Sequence, residues 1–322
     1  MTRTGLAILD YARKLPEYEP RTKKMKTNYH THHAICDGKD EAEDYVRAAI
    51  EKGFDALGFS SHAPLPFANR WTMPKEKFSA YCAEIRRLRE AYAGRIEVYL
   101  GLEIDFISGE FAAGPKARTA QRRPAGLPDF SPESSLSWPP AGLDYYIASV
   151  HVFPCGPNGY REVDHTPEEY EAIRDEKYGG GMRAFAAGYY AYIEELVRRF
   201  RPPVLGHLDL IKKNNPGEKY FSENSAWYKD LVRGLIPAIA EAGTIVEVNT
   251  GGLARGRTTT VYPSPWILRL LREADIPLML NSDAHVPENL DAFFDMARAI
   301  IREAGYTQLR VLRAGGWETA AI

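Results

Sequence analysis

The fold is decided by the stretch Ile276-Pro-Leu-Met-Leu280-Asn-Ser-Asp283-Ala-His285, near the carboxyl end of the chain. A short apolar run of this kind is typical of a buried strand. The Asp-x-His that follows places two side chains of the metal-binding type at one rim of a core. Five other short apolar runs in the chain also end in His, Asp or Glu. This recurrence predicts one polar site built from the ends of several strands.

Candidate strands and helices alternate along the chain. The seven candidate strands span 25–29, 54–60, 96–102, 144–150, 203–205, 244–248 and 276–280. The segments with helical spacing of apolar residues span 40–52, 74–93, 167–173, 182–201, 226–242, 265–274 and 288–304, and 309–312 is a candidate terminal strand. Such alternation predicts a parallel sheet with crossover helices. Ligand-type residues at the carboxyl ends of the strands further predict an α/β, TIM-like barrel.

We expect one barrel domain, residues 27–322, preceded by an N-terminal arm at 1–26. Residues 108–142 interrupt the alternation, because they are rich in Gly, Pro, Ser and Arg and lack periodicity. A loop of that length inside a compact domain is usually functional or partly disordered. We therefore interpret 108–142 as an insertion in the barrel.

Composition excludes several classes of protein. The 322 residues carry a net charge of -2 and 44% are hydrophobic, which supports a large core and gives no electrostatic case for nucleic acid or an anionic membrane. No apolar run approaches the ~20 residues of a membrane span, and the N-terminus lacks the apolar centre of a signal peptide. Cys36, Cys82 and Cys155 are odd in number and widely spaced, which argues against a disulfide framework. We expect a cytoplasmic protein.

Nine residues at the ends of strands form the candidate site: His30, His32, Asp37, His62, Glu103, His151, His207, Asp283 and His285. Imidazoles with a few carboxylates suit Zn, Fe or Mn better than Ca or Mg. Nine ligands are more than one ion needs, and they suffice for two or three ions if a carboxylate bridges. Any one of these histidines is, by itself, more often a hydrogen-bonded core residue, and Asp37-Gly38 alone is an ordinary turn. Their coincidence at six strand ends favours the metal site.

The order of these motifs resembles the PHP (polymerase and histidinol phosphatase) superfamily, and within it the histidinol-phosphatase branch. The similarity covers roughly residues 28–312. It is carried by His30-x-His32, Asp37-Gly38, Ser61-His62-Ala-Pro64, Ser149-Val-His151, Gly206-His-Leu-Asp-Leu-Ile-Lys-Lys213, Val246-Glu-Val-Asn-Thr250, Tyr262-Pro-Ser-Pro265 and Asn281-Ser-Asp-Ala-His285, with Glu103 between them. The resemblance implies a distorted seven-stranded (β/α) barrel, a trinuclear metal centre and hydrolysis of L-histidinol phosphate to L-histidinol and phosphate, a step of histidine biosynthesis.

The resemblance also implies how the ions would be shared. One ion would be held by His30, His32, Glu103 and Asp283, a second by Glu103, His151 and His207, and a third by Asp37, His62 and His285, with Glu103, Asp283 and His285 as the catalytic group. The chain departs from the family pattern at Asn28, where an Asp is usual, at His33, where Thr or Ser is usual, and at Ser61, where Glu is common. We expect these positions to orient ligands and to alter metal affinity.

Candidate substrate contacts follow the strand ends. Arg255 and Arg257 come after the strand that ends at Asn249, so they are expected on the same rim, although a solvated loop explains them equally well. Arg161 is a weaker candidate for the phosphate. Asp209, two residues after His207, is either a substrate contact or a structural hydrogen-bond partner.

Two other functions stay open. A phosphoesterase of the same superfamily could act on nucleotides, oligonucleotides or another small phosphate ester, which Arg118, Arg122 and Arg123 in the insertion favour slightly. A non-catalytic metal-binding barrel is the alternative from another class, and the intact set of ligands argues against it. Neither the native ion nor the oligomeric state follows from the sequence.

Overall fold

A computed structural model describes residues 24–107, 140, 142–155 and 159–322. The predicted N-terminal arm therefore lies outside the described residues up to position 23. The predicted insertion also lies outside them, except at residues 140 and 142.

Short strands and longer helices alternate along the chain, as predicted. The strands are β1 (Thr27–Asn28), β2 (Ala56–Phe59), β3 (Glu97–Leu100), β4 (Glu103–Asp105), β5 (Ile147–Ser149), β6 (Val152–Cys155), β7 (Gly159–Glu162), β8 (Val204–Leu205), β9 (Ile245–Asn249), β10 (Leu278–Asn281), β11 (Gln308–Arg313) and β12 (Gly316–Ala321). The α-helices are α1 (Ala42–Glu51), α2 (Phe78–Ala91), α3 (Pro167–Ala172), α4 (Met182–Phe200), α5 (Ala226–Ala242), α6 (Gly251–Ala254), α7 (Pro265–Glu273) and α8 (Phe294–Glu303).

The central strands form two parallel sheets. One sheet has the order β1-β2-β3 and the other the order β10-β9-β8-β5-β4. On both sides the sheets are joined only through single bridges among the described residues, between Thr31 and Ala284 and between His62 and Glu103. The α/β class is confirmed. The described strands nevertheless form two sheets and not one continuously paired barrel. At each junction between the sheets, only one pair of described residues is bridged.

Each central strand has one face toward the helices and one face toward the interior between the sheets. In β9, Val246 and Val248 pack in the main core with helix residues such as Ile239. Ile245 instead belongs to a second, interior cluster with Met279 of β10. This alternation follows from the period of two along a strand, and it aims every second side chain of β9 into the interior.

The helices follow their apolar spacing. In α5, the buried residues Val232, Leu235, Ile236 and Ile239 recur at three- and four-residue intervals, so they lie on one face. Gly243 ends this helix with a φ of 70°, a left-handed conformation that costs glycine little. No helix within the described ranges combines the length and the hydropathy needed to cross a membrane.

Three segments differ from the sequence-based predictions. Residues 152–155 and 159–162, for which no strand was predicted, pair as the antiparallel hairpin β6–β7, in which Pro154 is paired with Tyr160. The predicted terminal strand is extended by β12 into a second antiparallel hairpin. Helix α8 begins at Phe294 instead of 288, because Pro287 starts a 3-10 turn and Phe293 adopts a φ of 61°, which no α-helix continues.

Candidate metal centre

All nine predicted ligand residues converge at the carboxyl ends of the central strands. Their ligand atoms form groups in which all atoms lie within 4.8 Å of one another. The groups are His30, His32 and Asp283; Glu103, His151 and His207; His32, Asp37, His62 and His285; and a further group of His62, Asp105 and His151. The first three reproduce the implied sharing closely, with His32 common to two of them.

Glu103, the first residue of β4, lies at the middle of the cluster. Its Oε2 atom is 3.1 Å from both His30 Nε2 and His62 Nδ1, and 3.4 Å from His32 Nε2. Its Oε1 atom is 3.0 Å from His207 Nε2. The side chain is only 1% exposed, so these imidazoles replace water around it. One carboxylate thus reaches ligands from both sheets.

Several imidazole nitrogens in this cluster have no hydrogen-bond partner. Among the described residues, Nε2 of His30, Nε2 of His32 and Nδ1 of His62 are buried and unpartnered, although each lies close to the Glu103 carboxylate. A buried polar atom without a partner costs roughly 1–3 kcal/mol. A cation held between these nitrogens and the carboxylate satisfies both. The donors are imidazoles and carboxylates, which fit Zn, Fe or Mn.

The outer part of the cluster faces a cleft. His285 Nε2 is 3.2 Å from Asp37 Oδ2, and His62 Nε2 is 3.9 Å from Asp37 Oδ1. The His32 ring stacks on the His285 ring at a centroid distance of 4.4 Å and lies 4.3 Å from the His62 ring. Asp37 is 30% exposed, so an ion in this part of the cluster would be reachable from solvent.

Asp283 is held in an unusual conformation. Its φ of 52° lies in the left-handed region, which Asp tolerates better than most residues. Arg255 donates from Nη2 to Asp283 Oδ2 at 2.8 Å and from Nη1 to the Asp283 carbonyl oxygen at 3.1 Å. A Cβ atom at Gly251 would come within 2.9 Å of both the Asp283 carboxylate and Arg255 Nη2, so glycine is required there. Asp283 therefore has a strained backbone, and Arg255 holds both its carboxylate and its carbonyl oxygen in place.

Electrostatics keep the carboxylates ionised. Burial by itself raises the pKa of Glu103, but His30, His62 and His151 outweigh it, and the pKa lies well below the ordinary range. Burial likewise raises the pKa of Asp283, and Arg255 and His30 bring it well below its usual value. Burial lowers the pKa of His151, whereas Asp105 and Glu103 raise it to about 10. Because a ligating nitrogen must be deprotonated, an ion at His151 has to displace a proton.

Sequence reasoning missed the partners that orient the ligands. Ser149 donates from Oγ to Glu103 Oε1 at 2.6 Å. Asp105 Oδ1 is 2.7 Å from His151 Nδ1 and also accepts from the His151 backbone N–H at 3.2 Å. The period of two along a strand could have identified both residues. Ser149 lies two residues before His151, and Asp105 lies two residues after Glu103, so each pair is expected on one face.

The family departures occupy defined places. Asn28 accepts from the backbone N–H groups of His30 and Ser282, and its Nδ2 donates to Ser282 Oγ at 2.6 Å, so an amide replaces the usual carboxylate between these two segments. His33 is buried, with its ring stacked on Tyr81 at 5.6 Å, and both its ring nitrogens lack a partner among the described residues. The Ser61 hydroxyl is also buried and unpartnered within the described ranges.

A cleft of about 650 Å³ opens above the cluster. Besides the predicted ligands, its lining includes Arg255, Arg257, Lys213, Glu162 and Asp164. The two arginines predicted on this rim are therefore brought to the cleft.

Arg161 and Asp209 are placed elsewhere. Arg161 is not among the described residues that line the cleft, and its Nη2 donates to Glu176 Oε1 at 2.6 Å. Asp209 is fully buried, and its Oδ2 accepts from Lys212 Nζ and from the Ser264 backbone N–H, both at 2.9 Å. Its Oδ1 atom is buried without a partner among the described residues, and Asp209 is not among the described residues that line the cleft.

The chain matches the family model described as the PHP domain over residues 28–251. A Deinococcus radiodurans protein named "Probable histidinol-phosphatase" is 30% identical over 281 residues, which are 86% of this chain and 92% of the relative. The Bacillus subtilis histidinol-phosphatase is 27% identical over 276 residues, which are 81% of this chain and 94% of the relative.

A solved structure has a similar fold. It is the crystal structure of a histidinol phosphate phosphatase from Lactococcus lactis subsp. lactis, complexed with Zn, L-histidinol and phosphate. The two chains superpose with a TM-score of 0.62 at 20% identity, and the match covers 92% of this chain and 99% of the other. At this identity the likeness concerns the fold.

Proposed function

The chain belongs to the PHP domain family, and we propose that it is a metal-dependent phosphomonoesterase that hydrolyses L-histidinol phosphate to L-histidinol and phosphate. The observation that carries the proposal is the convergence of nine imidazole and carboxylate side chains, Glu103 among them, at one end of the strands, with buried nitrogens that have no hydrogen-bond partner among the described residues. The names of the relatives and the ligands in the Lactococcus structure support the substrate.

We propose the following sharing of ions. His30, His32, Glu103 and Asp283 hold one ion, Glu103, His151 and His207 hold a second, and Asp37, His62 and His285 hold a third. The geometry supports this sharing, because each set contains, equals or lies within a cluster of ligand atoms that are within 4.8 Å of one another. Glu103, which the first cluster lacks, has its Oε2 atom 3.1 Å from His30 Nε2 and 3.4 Å from His32 Nε2. The position of Glu103 between two clusters supports a bridging carboxylate.

Divalent transition-metal ions in such a site supply a hydroxide nucleophile near neutral pH and offset negative charge on the phosphoryl oxygens. The protein's own part is to hold the phosphate and orient the ligands. Arg255 lies beside Asp283 and His285 with 32% of its side chain exposed, so its guanidinium can donate to a phosphate oxygen in the cleft. Arg257 adds positive charge to the same lining, whereas the charge of Lys213 is paired with Asp164, whose Oδ2 is 2.6 Å from Lys213 Nζ.

The other charges of the cleft fit the remainder of the substrate. Histidinol phosphate carries a cationic ammonium group and an imidazole in addition to its phosphate. Glu162 and Asp164 line the cleft together with Trp71 and Tyr160. Carboxylates attract the ammonium group, and the aromatic rings offer faces to a cation or an imidazole. A nucleoside monophosphate would present a neutral ribose and base to these carboxylates instead.

We further propose that the two sheets are parts of one distorted seven-stranded barrel, in which β3 and β4, separated by two residues, count as one strand that passes between the sheets. The barrel would span residues 27–322 behind an arm at 1–26. The single bridges Thr31–Ala284 and His62–Glu103 support this, since they join the sheets on both sides. We also propose a cytoplasmic location, which is supported by the free thiols of Cys36, Cys82 and Cys155.

The test is a substrate panel with metal-analysed protein. Protein loaded with Zn, Mn or Fe is assayed against histidinol phosphate, nucleotides and single-stranded DNA, with chelator-treated protein as the blank. We expect the highest kcat/KM for histidinol phosphate and no turnover after chelation. A preference for nucleotides by roughly 100-fold, about 2.7 kcal/mol of transition-state binding, would contradict the proposed substrate.

A further inference from the structure

Glu247 is a buried carboxylate that the sequence did not single out as part of the site. It is the middle residue of β9, and its side chain is 0% exposed. Its neighbours Val246 and Val248 pack in the main core, so Glu247 is aimed into the interior between the sheets. An ionised carboxylate at such a place is costly unless it is fully hydrogen-bonded.

Four donors surround this carboxylate. Oε1 is 2.6 Å from His30 Nδ1 and accepts from Asn281 Nδ2 at 2.9 Å. Oε2 accepts from the His207 backbone N–H at 2.9 Å and from Asn249 Nδ2 at 3.0 Å. Each oxygen therefore has two partners, and the partners come from the ends of four different strands.

The contact with His30 decides which of its nitrogens is free. With Nδ1 donating to Glu247, the neutral ring is unprotonated at Nε2, the buried nitrogen without a partner among the described residues. That nitrogen lies 3.1 Å from Glu103 Oε2 and 3.6 Å from Asp283 Oδ1. A carboxylate on the far side of an imidazole fixes its tautomer and ring orientation and raises its basicity.

The contact with His207 acts through the backbone. The Glu247 carboxylate holds the His207 N–H, and the His207 ring then reaches Glu103 Oε1 with its Nε2 at 3.0 Å. His30 and His207 belong to different ions in the proposed sharing, and Glu103 is common to both. Glu247 thus holds one ligand of each ion from the side opposite to the bridging carboxylate.

Other ligands have narrower support. Asp105 contacts His151 alone among the proposed ligands, at 2.7 Å from Nδ1. His32 Nδ1 has only the Cys36 thiol within hydrogen-bond distance among the described residues, with Sγ at 3.6 Å. Asp105 and Cys36 each support one imidazole, whereas Glu247 supports ligands of two ions.

We propose that Glu247 is a positioning residue that sets the spacing between the two ions sharing Glu103, so that its loss weakens both ions together. The inference rests on the proposed metal centre and adds to it a residue that touches neither substrate nor ion. The expected size is that of an outer hydrogen-bond partner of a metal ligand, roughly 10- to 100-fold in affinity.

The experiment compares Glu247→Gln with Asp105→Asn in the full chain. Zn²⁺ is titrated against a competing chelator, bound metal per protein is measured, and Co²⁺-loaded protein is examined by absorption spectroscopy. We expect Glu247→Gln to weaken two ions by roughly 10- to 100-fold each and to change their Co²⁺ bands. We expect Asp105→Asn to weaken one ion.

Thr244→Val is the matched control. Thr244 lies just before β9 and donates from Oγ1 to the Pro202 carbonyl oxygen at 2.9 Å, so this variant removes a buried hydrogen bond at the other end of the same strand. We expect it to lower the stability of the metal-free protein without changing metal affinity.

Two results would overturn the inference. One is unchanged affinity for both ions in Glu247→Gln. The other is a loss of metal in Thr244→Val as large as in Glu247→Gln, since the effect would then be general destabilisation. A wild-type protein that binds the ions without hydrolysing histidinol phosphate would contradict the proposed substrate alone and leave the role of Glu247 standing.

Discussion

The two ends of the central strands have opposite chemistry, although they belong to the same inward faces. At the carboxyl ends the interior holds imidazoles and carboxylates around Glu103. Toward the amino ends it holds a cluster of apolar and aromatic side chains that includes Tyr145, Ile147, Val204 and Ile245. The change takes two residues, because Ile245 belongs to the apolar cluster and Glu247 contacts His30. One end of each strand thus serves chemistry and the other end serves stability.

The apolar end is closed by specific contacts. Tyr145 Oη lies 2.6 Å from the Tyr29 carbonyl oxygen and 3.1 Å from that of Phe59. A Cβ atom at Gly58 or Gly101 would overlap the Tyr145 ring, so the ring occupies space that only glycine leaves open. The hairpin β11–β12 is held there as well, since Tyr29 Oη donates to the Leu312 carbonyl oxygen at 2.7 Å. Polar atoms at this end are satisfied within the protein, unlike those around Glu103.

The largest expected effect is that of Glu103→Gln. This change removes the charge that neighbours His30, His62 and His207, so we expect loss of bound metal and a fall in kcat of at least about 100-fold. That is more than the roughly 10- to 100-fold loss expected when a hydrogen-bond partner of a metal ligand is removed. Metal analysis and steady-state kinetics provide the measurement. The matched control is Glu97→Gln at the apolar end, where Glu97 pairs with Arg313 at 2.5 Å. Equal losses of metal in both variants would contradict the assignment of metal binding to the carboxyl ends of the strands alone.

The next effect is that of Arg255→Gln. We expect kcat/KM to fall by roughly 100-fold, because a cationic donor is lost from the place where phosphoryl charge develops. Inhibition by inorganic phosphate should weaken in parallel, and both follow from initial-rate kinetics. Arg161→Gln is the control, since it breaks only the ion pair with Glu176 near the surface, and such pairs contribute about 0–1 kcal/mol. A larger loss in Arg161→Gln than in Arg255→Gln would refute the assignment of the phosphate to the cleft.

A smaller effect is expected at His33, a buried residue in an apolar environment next to the proposed ligand His32. Burial lowers the pKa of His33 to about 4, and His32 adds to the effect. Since the pKa in the folded state is below that of the unfolded chain, the stability from neutral His33 is present above pH 6.5 and is lost as pH falls toward 4.

The variant His33→Phe keeps a ring against Tyr81 and removes this titration. Between pH 7 and pH 5 we expect the free energy of unfolding of the metal-free wild type to fall by roughly 2 kcal/mol more than that of the variant. Urea denaturation at both pH values measures the difference. Identical pH dependence in the two proteins would show that His33 is accessible to protons in the folded state.

The smallest expected effect is that of Tyr145→Phe at the apolar end. It removes the hydroxyl that donates to the Tyr29 carbonyl oxygen, while the Phe59 carbonyl oxygen still accepts from the Gly101 backbone N–H at 2.8 Å. We expect this loss to cost about 1 to 2 kcal/mol. Denaturant unfolding should register this loss, while metal content and kcat stay as in wild type. A change in metal content would indicate that the two ends are coupled more tightly than their separate contacts imply.

Alternation of apolar runs and helical spacing was enough to predict the α/β class, and the residues at the ends of the apolar runs include the nine side chains that the structure brings together. The strand-end rule places side chains such as His207 and Asp283 at one edge without knowledge of any contact. The hairpin β6–β7 was not predicted, because its Gly and Pro residues are unfavourable in most strands. Pro is tolerated in an edge strand, and whether a strand lies at an edge depends on its partner and not on local propensity. The start of α8 escaped it because Phe293 adopts a left-handed φ of 61°, which the spacing of apolar residues does not signal.

The sequence by itself determined where imidazole and carboxylate side chains occur at the ends of strands, because apolar runs and the period of two along a strand are local features. Only the tertiary structure decided which of these side chains contact one another. It placed Asp209 in a buried hydrogen-bond network and Arg161 against Glu176, and it placed Ser149, Asp105 and Glu247 in hydrogen bonds with Glu103, His151 and His30. Such assignments depend on distances between strands far apart in the chain, which no local pattern encodes.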